Sequence, residues 1–257
     1  MMATRPGLTS PGIKVARLAI VIAFFALWEM LSRTAIVNPR LLPSASDTLA
    51  TLAELLQRGS VRGDLAVTAS EVVAAFALAV PTGCLIGFLI AESSYFADVM
   101  KPLLFFAFSI PKSIFLPMFI LVFGVGFAEK VGFGFFSTIF IVILSTTTAV
   151  ESVKVEYLTV ARSYGANSAQ TAFRVYLPSM LPVLLEALRI SMIFNLTGVI
   201  LAEMYASRDG MGHQIASWGE NFQMRQLLAG VVMIAVIAIT FNEMVRWSET
   251  KCSHWRT

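Results

Sequence analysis

The sequence VVAAFALAVPTGCLIGFLIA, residues 72–91, contains no Asp, Glu, Lys or Arg and decides the fold class. Its 20 residues lie between Glu71 and Glu92. An α-helix rises about 1.5 Å per residue, so a helix of this length covers a bilayer core of about 30 Å. A second run of 20 uncharged residues, VGFGFFSTIFIVILSTTTAV, fills residues 131–150 between Lys130 and Glu151. Both runs predict membrane-spanning helices.

The composition of the 257-residue chain supports a membrane protein. Hydrophobic residues make up 57% and charged residues only 14%, against about a quarter charged in soluble domains. The mean hydropathy is +0.76. A net charge of +3 from 19 basic and 16 acidic residues argues against a nucleic-acid partner. Cys84 lies in an apolar run and Cys252 near the end of the sequence, so no disulfide framework is expected.

Four further stretches complete a set of six spans. Residues 113–128 and 226–242 carry no charge, whereas residues 15–37 and 183–205 are apolar runs that each contain three charges. A cleaved signal peptide is the alternative for the first span, but no small-x-small cleavage site follows its apolar run. We therefore predict an all-α membrane protein with one transmembrane domain over residues 1–257 and spans at about 15–36, 68–91, 112–128, 131–150, 183–205 and 226–246.

The distribution of Lys and Arg predicts the orientation, because basic residues concentrate in cytoplasmic loops. With both termini inside, seven basic residues face out: Arg33, Arg40, Arg58, Arg62, Lys130, Arg208 and Arg225. Twelve then face the cytoplasm: Arg5, Lys14, Arg17, Lys101, Lys112, Lys154, Arg162, Arg174, Arg189, Arg246, Lys251 and Arg256. The excess predicts a multi-pass protein with cytoplasmic N- and C-termini. The outward segment 38–63 then carries a short amphipathic helix near residues 48–58, and residues 151–182 form a cytoplasmic loop.

Motifs for catalysis and metal binding are absent from the sequence. It contains no Gly-Lys dipeptide, so a phosphate-binding loop of the Walker A type cannot form. His213 and His254 are the only histidines, which leaves little from which to build a metal centre or a Ser/His hydrolase. The paired glycines, such as Gly132-Phe-Gly134, favour close helix packing or turns. We expect no catalytic and no metal-binding residues.

The longest informative loop sequence is EYLTVARSYGANSAQTAFRVYLPSMLP, residues 156–182. It predicts a helix to Tyr164, a left-handed turn at Gly165, a new N-cap at Asn167 or Ser168, and a second helix that ends at Pro178. From the residues alone, this helix–turn–helix is equally well a simple linker between spans 4 and 5 or a docking surface.

This loop resembles the cytoplasmic EAA loop of binding-protein-dependent ABC importer permeases. Ala161-x-x-x-Gly165 is followed, after nine residues, by Val175-x-Leu177-Pro178, and Thr159-Val160-Ala161 stands where that family often has Glu-Ala-Ala. Nearly the whole chain resembles the nitrate/sulfonate/taurine branch of that family. The motifs that carry this resemblance are Leu42-Pro43-Ser44, Ile110-Pro111-Lys112, Leu116-Pro117, Phe123-Gly124-Val125-Gly126, Leu181-Pro182, Leu188-Arg189, and Glu203 followed by Gly210-Met211-Gly212.

The resemblance implies an ABC type I importer permease in a bacterial cytoplasmic (inner) membrane, a transport subunit rather than an enzyme. Two permease subunits, as a homodimer or with a closely related partner, would form the pathway. Two cytoplasmic ATPase subunits would bind ATP and Mg²⁺, so no cofactor is expected in this chain, and an extracytoplasmic binding protein would deliver the solute. The residues that the resemblance assigns to ATPase coupling are Ala161, Arg162, Gly165, Ala166, Phe173, Leu177 and Pro178.

Ionisable and polar residues near the spans are candidates for the translocation pathway, because burying such groups in lipid costs several kcal/mol. Ser191, Asn195 and Glu203 fall on one face of span 5, although Glu203 could also mark the outer end of the span. Lys112 and Ser113 follow a proline, where Lys112 could contact the solute or extend to the membrane interface.

The expected solute is small and anionic, since the branch resembled handles nitrate, sulfonates and taurine, although it also handles pyrimidine-type precursors. The alternative function is a stand-alone secondary transporter or channel. No internal sequence repeat supports that alternative.

Overall fold

The structure, a computed structural model, describes residues 11–34, 36–38 and 40–252. Arg5 and Arg256, which contribute to the orientation prediction, lie outside the described residues. Within the described ranges every regular element is helical. The α-helices are α1 (Pro11–Arg33), α2 (Ala45–Gln57), α3 (Gly59–Ala91), α4 (Ser94–Ser109), α5 (Leu116–Phe123), α6 (Phe127–Glu151), α7 (Val155–Ser163), α8 (Ser168–Thr171), α9 (Leu177–Ala206), α10 (Met211–Glu220) and α11 (Met224–Cys252).

Five helical segments are long and apolar enough to cross a membrane. Four of them lie in α1, α3, α6 and α11, and the fifth, Ser168–Ala206, runs from α8 through α9. A sixth span results if α4 and the helical segment Lys112–Phe123 are counted together. That pair is bent by 77°. The predicted all-α membrane fold is confirmed, and each of the five segments overlaps one of the predicted spans.

The third predicted span, residues 112–128, differs from the structure. Lys112–Phe115 forms a 3₁₀ turn, and α5 ends at Phe123. The chain then passes through Gly124 and Gly126, whose φ angles of 72° and 155° favour glycine, before α6 begins. The helix on the other side of the bend, α4, contains Asp98 and Lys101. Because of these two charges, its sequence does not form an uncharged run of membrane-spanning length.

The chain divides into two units, residues 1–59 with 215–233 and residues 60–214 with 234–257. In the first unit α2 lies against the end of α1. The Glu29 carboxylate accepts hydrogen bonds from the Ser46 backbone N–H at 3.1 Å and from its hydroxyl at 2.8 Å. The Trp28 indole donates to the Pro43 carbonyl at 3.0 Å. The predicted helix near residues 48–58 corresponds to α2, and Ser44 caps it by accepting from the Asp47 N–H.

In the second unit α6 packs along α9 and against α3. A Cβ on Gly134 of α6 would lie 2.7 Å from a Val199 methyl group of α9, and a Cβ on Gly83 of α3 would lie 2.7 Å from a Val142 methyl group of α6. Real Cβ atoms do not approach this closely, so glycine is needed at both crossings. The predicted role of Gly134 in close helix packing is confirmed.

Candidate functional site

The segment between the two long helices α6 and α9 is a rigid helix–turn–helix, which we call the α7–α8 segment (residues 155–176). Helix α7 ends in a Schellman motif: the Gly165 N–H donates to the Arg162 carbonyl and the Ala166 N–H to the Ala161 carbonyl, both at 3.0 Å. Gly165 has a φ of 73°, and nothing lies within 4 Å of where its Cβ would be. Glycine is therefore favoured at position 165 by its positive φ angle and not by a lack of space for a side chain.

Helix α8 begins with a capping box that fixes the second half of the turn. The Asn167 side chain accepts from the Gln170 N–H at 2.8 Å, and the Gln170 side chain accepts from the Asn167 N–H at 3.0 Å. This reciprocal pair satisfies two helix-terminal N–H groups. The predicted N-cap at Asn167 is confirmed.

The second predicted helix does not end at Pro178. A π-turn, Ala172–Tyr176, follows α8, and the Leu177 N–H donates to the Ala172 carbonyl five residues earlier. Pro178 then lies in the first turn of α9. Pro178 has no N–H and so donates no backbone hydrogen bond at this junction, and its fixed φ is compatible with the first turn of a helix. The helical path therefore continues from α8 into the long helix.

The α7–α8 segment is anchored at its base and exposed at its tip. Val175 and Tyr176 pack against the buried residues Val153 and Met180 at the ends of the long helices. No residue of α7, α8 or the π-turn is buried. Tyr164 is 88% exposed and Phe173 is 71% exposed.

The residues predicted to couple to an ATPase therefore lie on one continuous element. Arg162, Gly165 and Phe173 are exposed, whereas Ala161 and Ala166 are half-buried at the turn. Leu177 and Pro178 begin α9. A firmly capped, exposed segment that continues into a long helix can pass a displacement at its tip to the helices behind it. The coupling role itself stays a prediction.

The predicted pathway residues separate into two groups. Ser191, Asn195 and Glu203 are fully buried on the inner face of α9. The Asn195 amide donates to the Val72 carbonyl at 2.8 Å, and the Ser191 hydroxyl donates to the Ala187 carbonyl at 2.6 Å. These three residues make their contacts inside the protein.

Lys112 and Ser113 lie elsewhere, at the break between α4 and α5. Both border a cavity of about 380 Å³. The Lys112 ammonium donates to the Phe108 carbonyl at 2.9 Å and lies 4.3 Å from the centroid of the Phe108 ring. Of the five predicted pathway residues, these two face a cavity.

Glu203 closes the turn that precedes α10. One carboxylate oxygen accepts from the Thr68 hydroxyl at 2.6 Å and the other from the Gly212 N–H at 2.7 Å. The Thr68 oxygen in turn accepts from the Met211 N–H at 2.8 Å. Asp64 accepts from the Gly210 N–H at 2.9 Å. Three side chains thus satisfy the N–H groups where α10 begins.

A buried ionic cluster near Glu203 was missed by the sequence analysis. The Lys130 ammonium lies 2.8 Å from a Glu71 carboxylate oxygen, with side chains 5% and 1% exposed. Glu129 is also fully buried, and neither of its carboxylate oxygens has a hydrogen-bond partner. The signal was present, because ionisable residues next to spans are functional or structural candidates. From the sequence, Glu71 and Lys130 mark the ends of uncharged runs and Lys130 enters the orientation count, but neither pattern pairs them. Among the residues described, no His, Cys, Asp or Glu group is arranged to hold a metal ion.

Comparison with known proteins agrees with this architecture. A protein of Bacillus subtilis (strain 168) named as an aliphatic sulfonates transport permease, SsuC, is 27% identical over 231 residues, 90% of this chain and 84% of that protein. The taurine transport system permease protein TauC of Escherichia coli (strain K12) is 25% identical over 248 residues, 95% of this chain and 89% of that protein. These relatives are transport permeases, so the prediction of a transport subunit rather than an enzyme is confirmed.

A chain of the MetNI methionine ABC transporter, crystallised in inward-facing conformations, shares the fold with a TM-score of 0.62 and 18% identity, covering 76% of this chain and 96% of that chain. The family model of the binding-protein-dependent transport system inner membrane component matches residues 79–253, well over half of the sequence. The predicted resemblance is confirmed, and the chain belongs to this family, the membrane-embedded permeases of ABC importers.

Proposed function

We propose that this chain forms, with a second copy or a closely related permease, the pathway of an ATP-driven importer for a small anionic solute such as a sulfonate, taurine or nitrate. Separate ATPase subunits bind ATP and Mg²⁺, and an extracytoplasmic binding protein delivers the solute. Both termini face the cytoplasm of a bacterial inner membrane. The observation that carries the proposal is the exposed α7–α8 segment, and the sulfonate and taurine permeases among the relatives support the solute class.

The α7–α8 segment has the physical properties that an ATPase contact requires. Exposed aromatic side chains such as Tyr164 and Phe173 gain several kcal/mol when a partner buries them. The Schellman motif and the capping box hold the tip in one conformation, so docking costs little ordering entropy. Because the segment continues into α9, closure of two docked ATPases would shift that helix between two states.

The proposal is tested with the chain expressed together with its ATPase and reconstituted in liposomes. Gly165→Asp places a charged side chain at the tip and is expected to abolish solute-stimulated ATP hydrolysis without preventing membrane insertion. Gly165→Asn is the matched control, because asparagine has nearly the same size, tolerates positive φ and carries no charge. It is expected to keep most of the stimulated rate.

Retained stimulation in Gly165→Asp would refute the coupling role of the tip. A chain that co-purifies with no ATPase, in a membrane that contains one, would refute the importer itself.

A secondary transporter is the second candidate, because the helix break at Ile110–Pro111 is a feature that such proteins use at their binding sites. It predicts solute flux driven by an ion gradient in liposomes that hold this chain alone. The importer predicts no flux there until ATPase, binding protein and ATP are added.

A further inference from the structure

The break between α4 and α5 places a lysine beside a cavity. Ile110 and Pro111 leave the helical conformation, with ψ angles of 128° and 111°, and the chain axis turns by 77°. The Lys112 side chain reaches back to the end of α4, where its ammonium donates to the Phe108 carbonyl at 2.9 Å. The ammonium also lies 5.9 Å from the centroid of the Phe140 ring.

The charge of Lys112 is not neutralised within the described residues, since no carboxylate among them lies within 4.0 Å of its ammonium. An ammonium has three N–H donors, and the Phe108 carbonyl takes one of them. A charge held against apolar side chains is costly unless it meets water or an opposite charge. The site therefore favours an anion.

The cavity next to this ammonium provides further donors and apolar walls. It measures about 380 Å³, and hydroxyl groups of Ser113 and Ser137 border it together with the rings of Phe133 and Phe194. Ser137 is only 4% exposed, yet within the described chain neither of the two serine hydroxyls makes a hydrogen bond. No acidic residue borders the cavity. Ligand pockets usually have volumes of about 300 Å³ and above. This cavity lies near the lower end of that range, so it fits a small organic molecule.

We propose that this cavity is a subsite for a small organic anion, with Lys112 and the Ser113 and Ser137 hydroxyls holding a sulfonate or carboxylate group and the phenylalanine rings holding a short aliphatic body. The inference rests on the proposed import function and deepens it, because it locates solute recognition in the permease as well as in the binding protein. A lysine that only capped α4 would explain the bond to the Phe108 carbonyl, but not the unbonded hydroxyl of the buried Ser137 beside the same cavity.

The test measures local charge and occupancy by thiol labelling. The full chain with its ATPases is placed in phosphatidylcholine nanodiscs, with both native cysteines changed to alanine and Ser113→Cys as the probe. The labelling rates of an anionic reagent, 2-sulfonatoethyl methanethiosulfonate, and a cationic one, the 2-aminoethyl analogue, are compared. Their ratio cancels the thiolate fraction, which affects both reagents equally. Ile114→Cys is the matched control, since Ile114 is 67% exposed but does not border the cavity.

We expect the ratio of the anionic to the cationic labelling rate to be about tenfold higher at position 113 than at position 114. Lys112→Met should remove that preference, and Lys112→Arg should restore most of it. Saturating ethanesulfonate should slow labelling at position 113 by about fivefold or more, whereas the uncharged ethyl methyl sulfone should not. Ser137→Ala, which keeps the charge, should weaken protection several-fold and provides a second test if Lys112→Met does not fold.

Equal ratios at positions 113 and 114, or no protection by ethanesulfonate, would overturn the proposal. A lipid phosphate shares the same chemistry, so the experiment is repeated with phosphatidylglycerol. Slow labelling in that lipid without sulfonate, combined with no protection in phosphatidylcholine, would assign the cavity to a headgroup and overturn the solute subsite. Labelling needs neither ATP nor transport, so failure of the proposed import function in its own assay would be seen separately.

Discussion

Replacing Lys130 by methionine should destabilise the protein strongly, because it leaves a buried carboxylate without its counter-charge. The two charged groups lie 2.8 Å apart, with side chains 5% and 1% exposed. Removing one partner from a pair buried to this degree costs about 3–5 kcal/mol. The upper part of this range is expected for Lys130→Met, since the second oxygen of Glu71 already lacks a hydrogen-bond partner and the buried Glu129 carboxyl is also close enough to feel both charges.

The free energy of unfolding is measured by reversible sodium dodecyl sulfate titration in mixed micelles. The double variant Glu71→Gln/Lys130→Met replaces both charges. Its loss of unfolding free energy should therefore be at least about 2 kcal/mol smaller than the sum of the losses in the two single variants. Lys101→Met is the matched control. Lys101 pairs with Glu151 at a site where the two side chains are 27% and 41% exposed, and such pairs contribute about 0–1 kcal/mol.

A Lys130→Met cost no larger than that of Lys101→Met would refute the assignment of a buried, charged pair. Strict additivity in the double variant would refute it as well, because independent side chains show no coupling energy.

Three further substitutions test other contacts. Thr68→Val leaves the Glu203 carboxylate without the hydroxyl that donates to it and should cost about 1–3 kcal/mol in the same titration, whereas Thr68→Ser should cost less than 1 kcal/mol. Gly134→Ala should cost about 1–3 kcal/mol by overpacking α6 against α9, and adding Val199→Ala should recover part of that loss because the clashing methyl group is gone. Asn167→Ala removes the cap of α8, so amide hydrogen exchange in residues 168–176 should accelerate about three- to thirtyfold, while Asn167→Asp should exchange nearly as slowly as the unchanged chain.

The long spans were predictable because each rests on one property, an apolar run of sufficient length. Helices α3 and α6 contain the two 20-residue runs, and their ends extend beyond the runs because neighbouring charged residues still continue the helix. The turn at Gly165 and the cap at Asn167 were predictable for a similar reason. Each depends on residues next to it in sequence, where the local chemistry allows few conformations.

The bent region was not predictable from charge spacing. An uncharged run from Ser113 to Ala128 predicts a straight span, but the two glycines at positions 124 and 126 turn the chain with positive φ angles. The helix that precedes the bend contains Lys101, and the ammonium is neutralised by Glu151 on α6, fifty residues away in sequence. A span whose charge is satisfied by a distant partner cannot be recognised from its own composition.

The ionic cluster was missed for the same physical reason. Glu71 ends an uncharged run, but α3 begins at Gly59, so Glu71 lies more than three turns inside the helix. Its partner Lys130 is in the first turn of α6. Only the packing of the two helices shows that these residues meet, and nothing in either local sequence specifies the other.

Two lysines of this unit, Lys112 and Lys130, illustrate why a charged residue next to a span has no fixed role. Lys130 lies 2.8 Å from a Glu71 carboxylate oxygen, so its charge is met inside the protein and exerts little attraction on an anion. Lys112 is held by a carbonyl and an aromatic ring, both of which attract a cation without carrying a net negative charge. Its field therefore extends into the adjoining cavity. Of these two lysines, Lys130 has a carboxylate partner and Lys112 has none among the described residues, so our proposal assigns the anion to Lys112, and this difference depends on which residues the fold brings to each ammonium.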